Sequence, residues 1–453
     1  GFIFSHEGRV YRQVNDAYAA EWSRVCTSGL LEKLFASGEL IRHTEAALAL
    51  APLPGAIAVL SPEQISTISY PYEWCFSQLK AAALLTLSIQ KQALNAGLSL
   101  KDATAYNVQF QGGRPVFIDT LSFETYVEGS PWVAYRQFCQ HFLAPLALMA
   151  RSDIRLSQLL RIYVDGVPLD LASKLLPAST WFSPSLLMHV HMHAKSQQRH
   201  AGDAAGAGVA KPPTLARATL EGILDSLKGA VEALDWSPTG TEWADYYQRN
   251  NNYGDEGLRH KAESLGRMAD ALKPATVWDI GGNTGRFSRV AAERGAQVVT
   301  WDVDPACVEA NYRQVCTAKE TNILPLLLDL TNPSPGLGWA GTERSSMASR
   351  GSVDCVFALG LVHHIAISNN VPLDRIAAFF ASIGKNLIIE FVPKEDSQVI
   401  KLLASRMDVF PNYHRAGLEA AFARYFTLCE AVDIPSTCRT LYRFQTLDRP
   451  QPT

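Results

Sequence analysis

Hydrophobic residues follow two different rhythms along this chain. In the first half, the longest apolar stretch is residues 70–96, YPYEWCFSQLKAAALLTLSIQKQALNA. Leu79, Ala83, Leu87 and Leu94 fall there near helical spacing and predict one long helix. An apolar VQF, the turn Gln111-Gly112-Gly113-Arg114 and PVFID then predict a two-stranded hairpin. In the second half, short apolar runs alternate with amphipathic ones. Val277–Ile280, Gln297–Trp301, ILPLLLD, VDCVFAL and NLIIEFVPKED predict buried strands, and Arg286–Arg294 predicts a helix after the first of them. The helical segment LEAAFARYF precedes two final apolar runs, TLCEAVDI and RTLYRFQTL. Strands alternating with helices in this way predict an α/β sheet.

At 453 residues the chain exceeds one ordinary core, and two or three domains are expected. Residues 201–213, AGDAAGAGVAKPP, form the clearest compositional break. The formal net charge of −3 argues against a chain-wide nucleic-acid surface. Eight cysteines are scattered without a C-x-x-C pair, which suits reduced thiols and neither a disulfide frame nor a zinc site. No apolar run reaches membrane-spanning length, and GFIFSHEGRVYR has no basic-then-apolar export signal. A cytoplasmic location without membrane contact is the expectation.

The most specific chemistry lies in Thr276–Tyr312. The run ending at Ile280 carries Asp279 and breaks into Gly281-Gly282-Asn283-Thr284-Gly285; the next strand ends on Asp302. Strand, glycine turn, helix, strand and acid make a β-α-β unit of nucleotide-binding type, with the acid about 20 residues past the turn. The spacing D-x-G-x-x-x-G is not the dinucleotide fingerprint. It resembles motif I of the class I S-adenosylmethionine-dependent methyltransferases, D-x-G-x-G-x-G, from which Asn283 departs where a middle glycine would stand. Asn tolerates the left-handed backbone better than most residues.

That resemblance implies a Rossmann-like seven-stranded sheet over residues 277–449 and S-adenosyl-L-methionine as cofactor. It implies that Asp279, Gly281, Gly282, Asn283, Gly285 and Gly360 surround the cofactor. Asp302 would bind the ribose hydroxyls, and Asp329 the adenine amino group. His363, His364 and Glu390 are candidates for the base, with Lys394 beside them at the strand-five exit. Tyr246, Tyr247, Asn251, Tyr253 and Lys261 are candidates to touch cofactor or substrate from a helical approach segment, residues 214–276. The Pro- and Gly-rich insert after Asp329 is expected to form part of a lid, with Trp339 as an apolar wall and Arg344 as an anion anchor. This insert and the HHIAISNN stretch also resemble nodulation proteins of the NoeA type.

Residues 1–195 show a second resemblance. Asp102, Asn107 and Asp119 stand at intervals similar to the catalytic loop and metal-binding acid of the protein-kinase and aminoglycoside-kinase superfamily. The implied fold is an α+β kinase-like domain, followed by a linker at 196–213. No glycine-rich phosphate loop precedes it, Arg12 stands where the nucleotide lysine would be, and Thr-Leu-Ser follows Asp119. Phosphotransfer is therefore not expected, and Asp102 and Asn107 could equally cap a loop. His189, His191 and His193 alternate, but no acid or Cys completes a ligand set, so structural or surface roles are expected. The leading reading is a methyltransferase acting on an unidentified O or N acceptor, small molecule or protein, with a kinase-like accessory domain. The alternatives are a bifunctional kinase-methyltransferase and a non-enzymatic scaffold.

Overall fold

The computed structural model describes residues 1–193, 214–238, 253–404 and 406–448. The chain divides into two compact units, Gly1–Ser237 and Pro238–Thr453. The expected linker at 196–213, together with Tyr246, Tyr247 and Asn251, lies outside the described residues.

The first unit opens with four antiparallel strands, β1 (Phe2–His6), β2 (Arg9–Asn15), β3 (His43–Ala46) and β4 (Ala56–Pro62), in the order β1-β2-β4-β3. The long helix expected at 70–96 runs from Phe76 to Asn95 and buries Leu79, Ala83, Leu87 and Leu94. After it come β5 (Leu98–Leu100), the hairpin β6 (Val108–Gln111) and β7 (Arg114–Phe117), and β8 (Phe123–Thr125). The hairpin closes at Gln111 opposite Arg114, as the glycine turn required, and β5 pairs with β8. The Arg217–Ala233 helix buries Leu220, Leu224, Leu227 and Val231 in this same unit. The Lys80 ammonium donates to the Glu232 and Leu234 carbonyls at its end, at 2.9 and 2.6 Å. Residues 214–276 are thus not one approach segment: the first helix counts with the N-terminal unit, and only Asp255–Leu272 counts with the second.

The second unit is built on one seven-stranded sheet, β9 (Thr276–Ile280), β10 (Gln297–Asp302), β11 (Ile323–Leu327), β12 (Cys355–Ala358), β13 (Asn386–Phe391), β14 (Phe426–Asp433) and β15 (Thr440–Thr446). The order is β11-β10-β9-β12-β13-β15-β14; the first five are parallel, and β15 and β14 close the sheet antiparallel. Numbered within the unit, this is 3-2-1-4-5-7-6, with the seven strands that the methyltransferase resemblance implied. Burial on both faces explains the unbroken apolar runs. Val277, Val298, Ile323, Phe357, Ile388 and Leu441 share one core with Leu265 and Met268 of the Asp255–Leu272 helix. The chain reverses between β9 and β12, so the carboxyl ends of those strands flank a topological switch point.

Candidate active site

Local chemistry builds the turn after β9. The Trp301 carbonyl receives the N–H groups of both Gly281 and Gly282, at 2.8 and 3.0 Å, which pulls the turn over β10. Gly281 has φ +76° and Asn283 φ +52°, so the left-handed geometry for which Asn was singled out is present. The glycines serve different ends. A Cβ on Gly282 would stand 2.5 Å from Thr300, and one on Gly285 2.5 Å from the Asn311 amide. Those two positions are small because protein packs against them.

A cavity of about 350 Å³ spans the carboxyl ends of the parallel strands, within the usual range for small-molecule sites. Gly281, Asn283, Asp302, Asp329, Gly360, His363 and His364 line it, and so do Tyr253 and Lys261 from the start of the unit. Asp279, Gly282 and Gly285 do not, so these three support the turn from behind. Asp279 is buried, accepts the Ser288 hydroxyl at 2.6 Å and keeps one oxygen without a hydrogen-bond partner. Burial pushes its carboxyl up to about 6, against the pull of Ser288 and Lys261.

Asp302 accepts the Asn283 N–H at 2.7 Å and the Asp304 N–H at 2.9 Å. Burial raises its carboxyl to about 6, although those N–H groups favour the charged form. Asp329 lies two residues beyond β11, is exposed, and accepts the Thr331 N–H and hydroxyl at 2.9 and 2.6 Å.

The histidines sit with ring centroids 4.0 Å apart. The His363 Nδ1 is buried without a hydrogen-bond partner. Burial lowers both, His364 to about 4, and the Arg439 charge adds to the effect. Both are therefore neutral near pH 7 and able to accept a proton, though weakly basic.

Glu390 requires a correction. Tyr253 donates its hydroxyl to one carboxylate oxygen, and the Lys261 ammonium donates to the other at 2.6 Å. Burial alone would raise this carboxyl, but Lys261 and Arg439 outweigh it and hold Glu390 below its ordinary value. A fully buried carboxylate with both oxygens engaged is a counter-ion and not a base. Arg439, absent from the candidates above, is 1% exposed; it pairs with Asp396 at 2.7 and 3.1 Å and donates to the Tyr253 hydroxyl. Its sequence signal was a charged residue opening the apolar run RTLYRFQTL. Gln398, Ser368 and Asn369, also unforeseen, add hydrogen-bonding side chains to the lining.

Two other expectations fail. Of the insert, only Asp329, Leu330 and Thr331 reach the cavity; Trp339 is 83% exposed and Arg344 pairs with its neighbour Glu343. Prolines and glycines exclude a crossover helix there, but the insert folds on itself through a Leu337–Arg344 bridge. Lys394 turns to Asp408 at 2.6 Å and is not among the lining residues.

In the first unit, Asn107 and Asp119 meet through Ser122, and Asp119 is engaged. Arg12 pairs with one oxygen at 2.6 Å, and Ser122 donates to the other at 2.6 Å. Asn107 donates to that Ser122 hydroxyl at 3.4 Å, while Asp102 accepts the Thr104 N–H at 3.0 Å. His189 and His191 are buried with both ring nitrogens partnered, by Tyr135 and Ser226 and by Ser173 and Thr180. Among the described residues, no group of acids, His and Cys could hold a metal.

Over 450 residues the chain is 38% identical to the nodulation protein NoeA of Rhizobium meliloti (strain 1021), covering 98% of this chain and 94% of the relative. The chain belongs to the NoeA family. No family model matches it. Solved structures similar to this NoeA-family chain include the magnesium protoporphyrin IX methyltransferase ChlM of Synechocystis PCC 6803, at 19% identity over 45% of this chain and 98% of that one, with TM-score 0.31. The N-methyltransferase NodS of Bradyrhizobium japonicum WM9 matches at 12% identity over 43% of this chain and 99% of its own, with TM-score 0.33. The bifunctional kinase-methyltransferase WbdD matches at 16% identity over 48% of this chain and 45% of its own, with TM-score 0.32. Likeness at this level leaves the fold to the strand order given above.

Proposed function

We propose that the second unit is an S-adenosylmethionine-dependent methyltransferase. One observation carries the reading: a buried carboxylate, Asp302, ends β10 beside a left-handed glycine turn, in a cavity across the carboxyl ends of a 3-2-1-4-5-7-6 sheet. Asp302 would hold the ribose hydroxyls, Asp329 the adenine edge, and Gly281 and Gly360 the centre of the molecule. The bound cofactor supplies a methyl group already activated by a sulfonium. The protein aligns the acceptor, excludes water and, where the acceptor carries a proton, takes it up on His363 or His364. The acceptor is a small molecule or a protein. Family membership extends to this chain a part in nodulation, the process for which its relative is named.

Calorimetry of S-adenosylhomocysteine with the whole chain should give micromolar affinity, order of magnitude, and bound ligand should raise the melting temperature by mass action. Absence of both heat and thermal shift would sink the reading. The affinity should also depend on pH in an unusual window. Asp302 binds best ionised, and its carboxyl is raised to about 6, so affinity should decline as pH falls below about 6. An unshifted aspartate would delay that decline to about pH 4. A titration flat from pH 7 to 5 contradicts the assignment.

For the first unit we propose a kinase-like scaffold without phosphotransfer. Element order supports the kinase-like fold: an antiparallel sheet, a long helix, a short strand, the Asp102–Asn107 loop, a hairpin and Asp119. The Arg12–Asp119 pair and the Ser122 bond occupy the carboxylate that would hold magnesium. ATP with magnesium should therefore neither stabilise the unit thermally nor yield phosphorylated product. Phosphotransfer that disappears in Asp119→Asn would overturn this and favour the bifunctional reading.

A further inference from the structure

We infer that Lys261, braced by Tyr253 and Glu390, recognises the α-carboxylate at the amino-acid end of the cofactor. The inference rests on the cofactor reading above and deepens it by assigning a partner to the carboxylate of the cofactor.

Position comes first. The cavity lining follows the sheet: Asp329 beyond β11, Asp302 on β10, Gly281 after β9, Gly360 after β12, then Lys261 against Glu390 on β13. Neighbouring strands lie about 4.8 Å apart, so β10 and β13, three steps apart, are separated by about 14 Å. A ligand with its ribose on Asp302 and its adenine toward Asp329 must direct its remaining end toward β13. That end carries the carboxylate.

Charge comes second. Among the described residues lining the cavity, Lys261 is the one Lys or Arg, and burial keeps both lining histidines neutral near pH 7. Its ammonium donates to Glu390 at 2.6 Å and to the Tyr253 hydroxyl at 3.1 Å, and lies 4.8 and 4.3 Å from the ring centroids of Tyr253 and Phe287. An ammonium has three N–H donors, which leaves one for a ligand. The buried cations need no ligand to be matched: Lys261 and Arg439 stand against Glu390 and Asp396, and Asp279 also acts on Lys261. Tyr253 bridges the two cations and caps Glu390. The cation is therefore fixed in place before a ligand arrives, and binding requires no new ordering of a long side chain.

The same cluster could merely tie the Asp255–Leu272 helix to the sheet, so the test must read the carboxylate and not the fold. Calorimetry compares S-adenosylhomocysteine with its decarboxylated analogue, which keeps the adenosine, thioether and amine. The native chain should bind the analogue about 10- to 150-fold more weakly, the worth of a charge-assisted hydrogen bond. Lys261→Met should lose that preference, binding both ligands with the weaker affinity. Equal affinity of the native chain for the two ligands overturns the inference while leaving the cofactor reading intact. A preference that persists in Lys261→Met assigns the carboxylate to another group and also overturns it. Should Lys261→Met fail to melt cooperatively, Lys261→Gln carries the same comparison. Binding of neither ligand by the native chain removes the cofactor reading and this inference together.

Discussion

Glu390→Leu is expected to destabilise the second unit by about 3–5 kcal/mol, the cost of stranding buried charge. Lys261 and Arg439 would lose the carboxylate they share, keeping Asp396 beside Arg439 and the charge of Asp279 near Lys261. Calorimetric melting reads the effect on the transition that also responds to S-adenosylhomocysteine. Adding Lys261→Met should recover part of the loss, because one stranded cation is removed and the two sites share a partner. Additive losses would mean that the ion pair is not what Glu390 contributes. The pH dependence has a definite sign. Glu390 is held below its unfolded value, so its contribution is present above that value and lost as pH falls through the depressed one. Asp279 and Asp302, raised to about 6, act oppositely: each gains stability as pH falls from about 6 toward 4. Removing Glu390 should therefore leave a unit whose stability rises on mild acidification.

Asp302→Ala is expected to weaken S-adenosylhomocysteine binding by about 1.5–3 kcal/mol, roughly 10- to 150-fold. Part of the loss is indirect, because Asp302 also accepts the Asn283 N–H that holds the turn. Asp302→Asn separates the two contributions: it keeps an acceptor for Asn283 but lacks the charge. Calorimetry should place it between the native chain and the alanine variant. Unchanged affinity in Asp302→Ala would remove the ribose assignment.

Much of the second unit was legible because its signals are local. Apolar runs with terminal acids give parallel strands, and the Gly281–Gly285 turn fixes where the chain reverses. The reasons for individual glycines were not legible. Gly282 and Gly285 answer to Thr300 and Asn311, which lie elsewhere in the sequence. Glu390 looked like a base because sequence shows a carboxylate at a strand exit and hides its partners. Tyr253 and Arg439 reach it from opposite ends of the unit, a pairing that no periodicity encodes. The insert misled for a related reason. Its prolines and glycines exclude a helix, but nothing in them says which way a loop turns, and Trp339 faces solvent. In the first unit, Asp102, Asn107 and Asp119 stood at informative intervals, yet the Arg12–Asp119 pair joins β2 to a loop beyond β7 and is visible only after folding.

The position of β15 bears on how the protein can be made. This strand lies between β13 and β14, and Arg439 immediately precedes it. Neither the sheet nor the charge set beneath the cavity is complete until the chain through Thr446 is available. On the ribosome, the earlier strands of this unit would wait with an unpaired β13 edge and with Asp396 lacking its partner Arg439. Such an edge invites association with other chains. Contacts between Tyr253 and Arg439 also make closure a long-range event, which slows folding relative to helix formation. Premature termination before Arg439 should thus yield an aggregation-prone nascent species and not a partially active one.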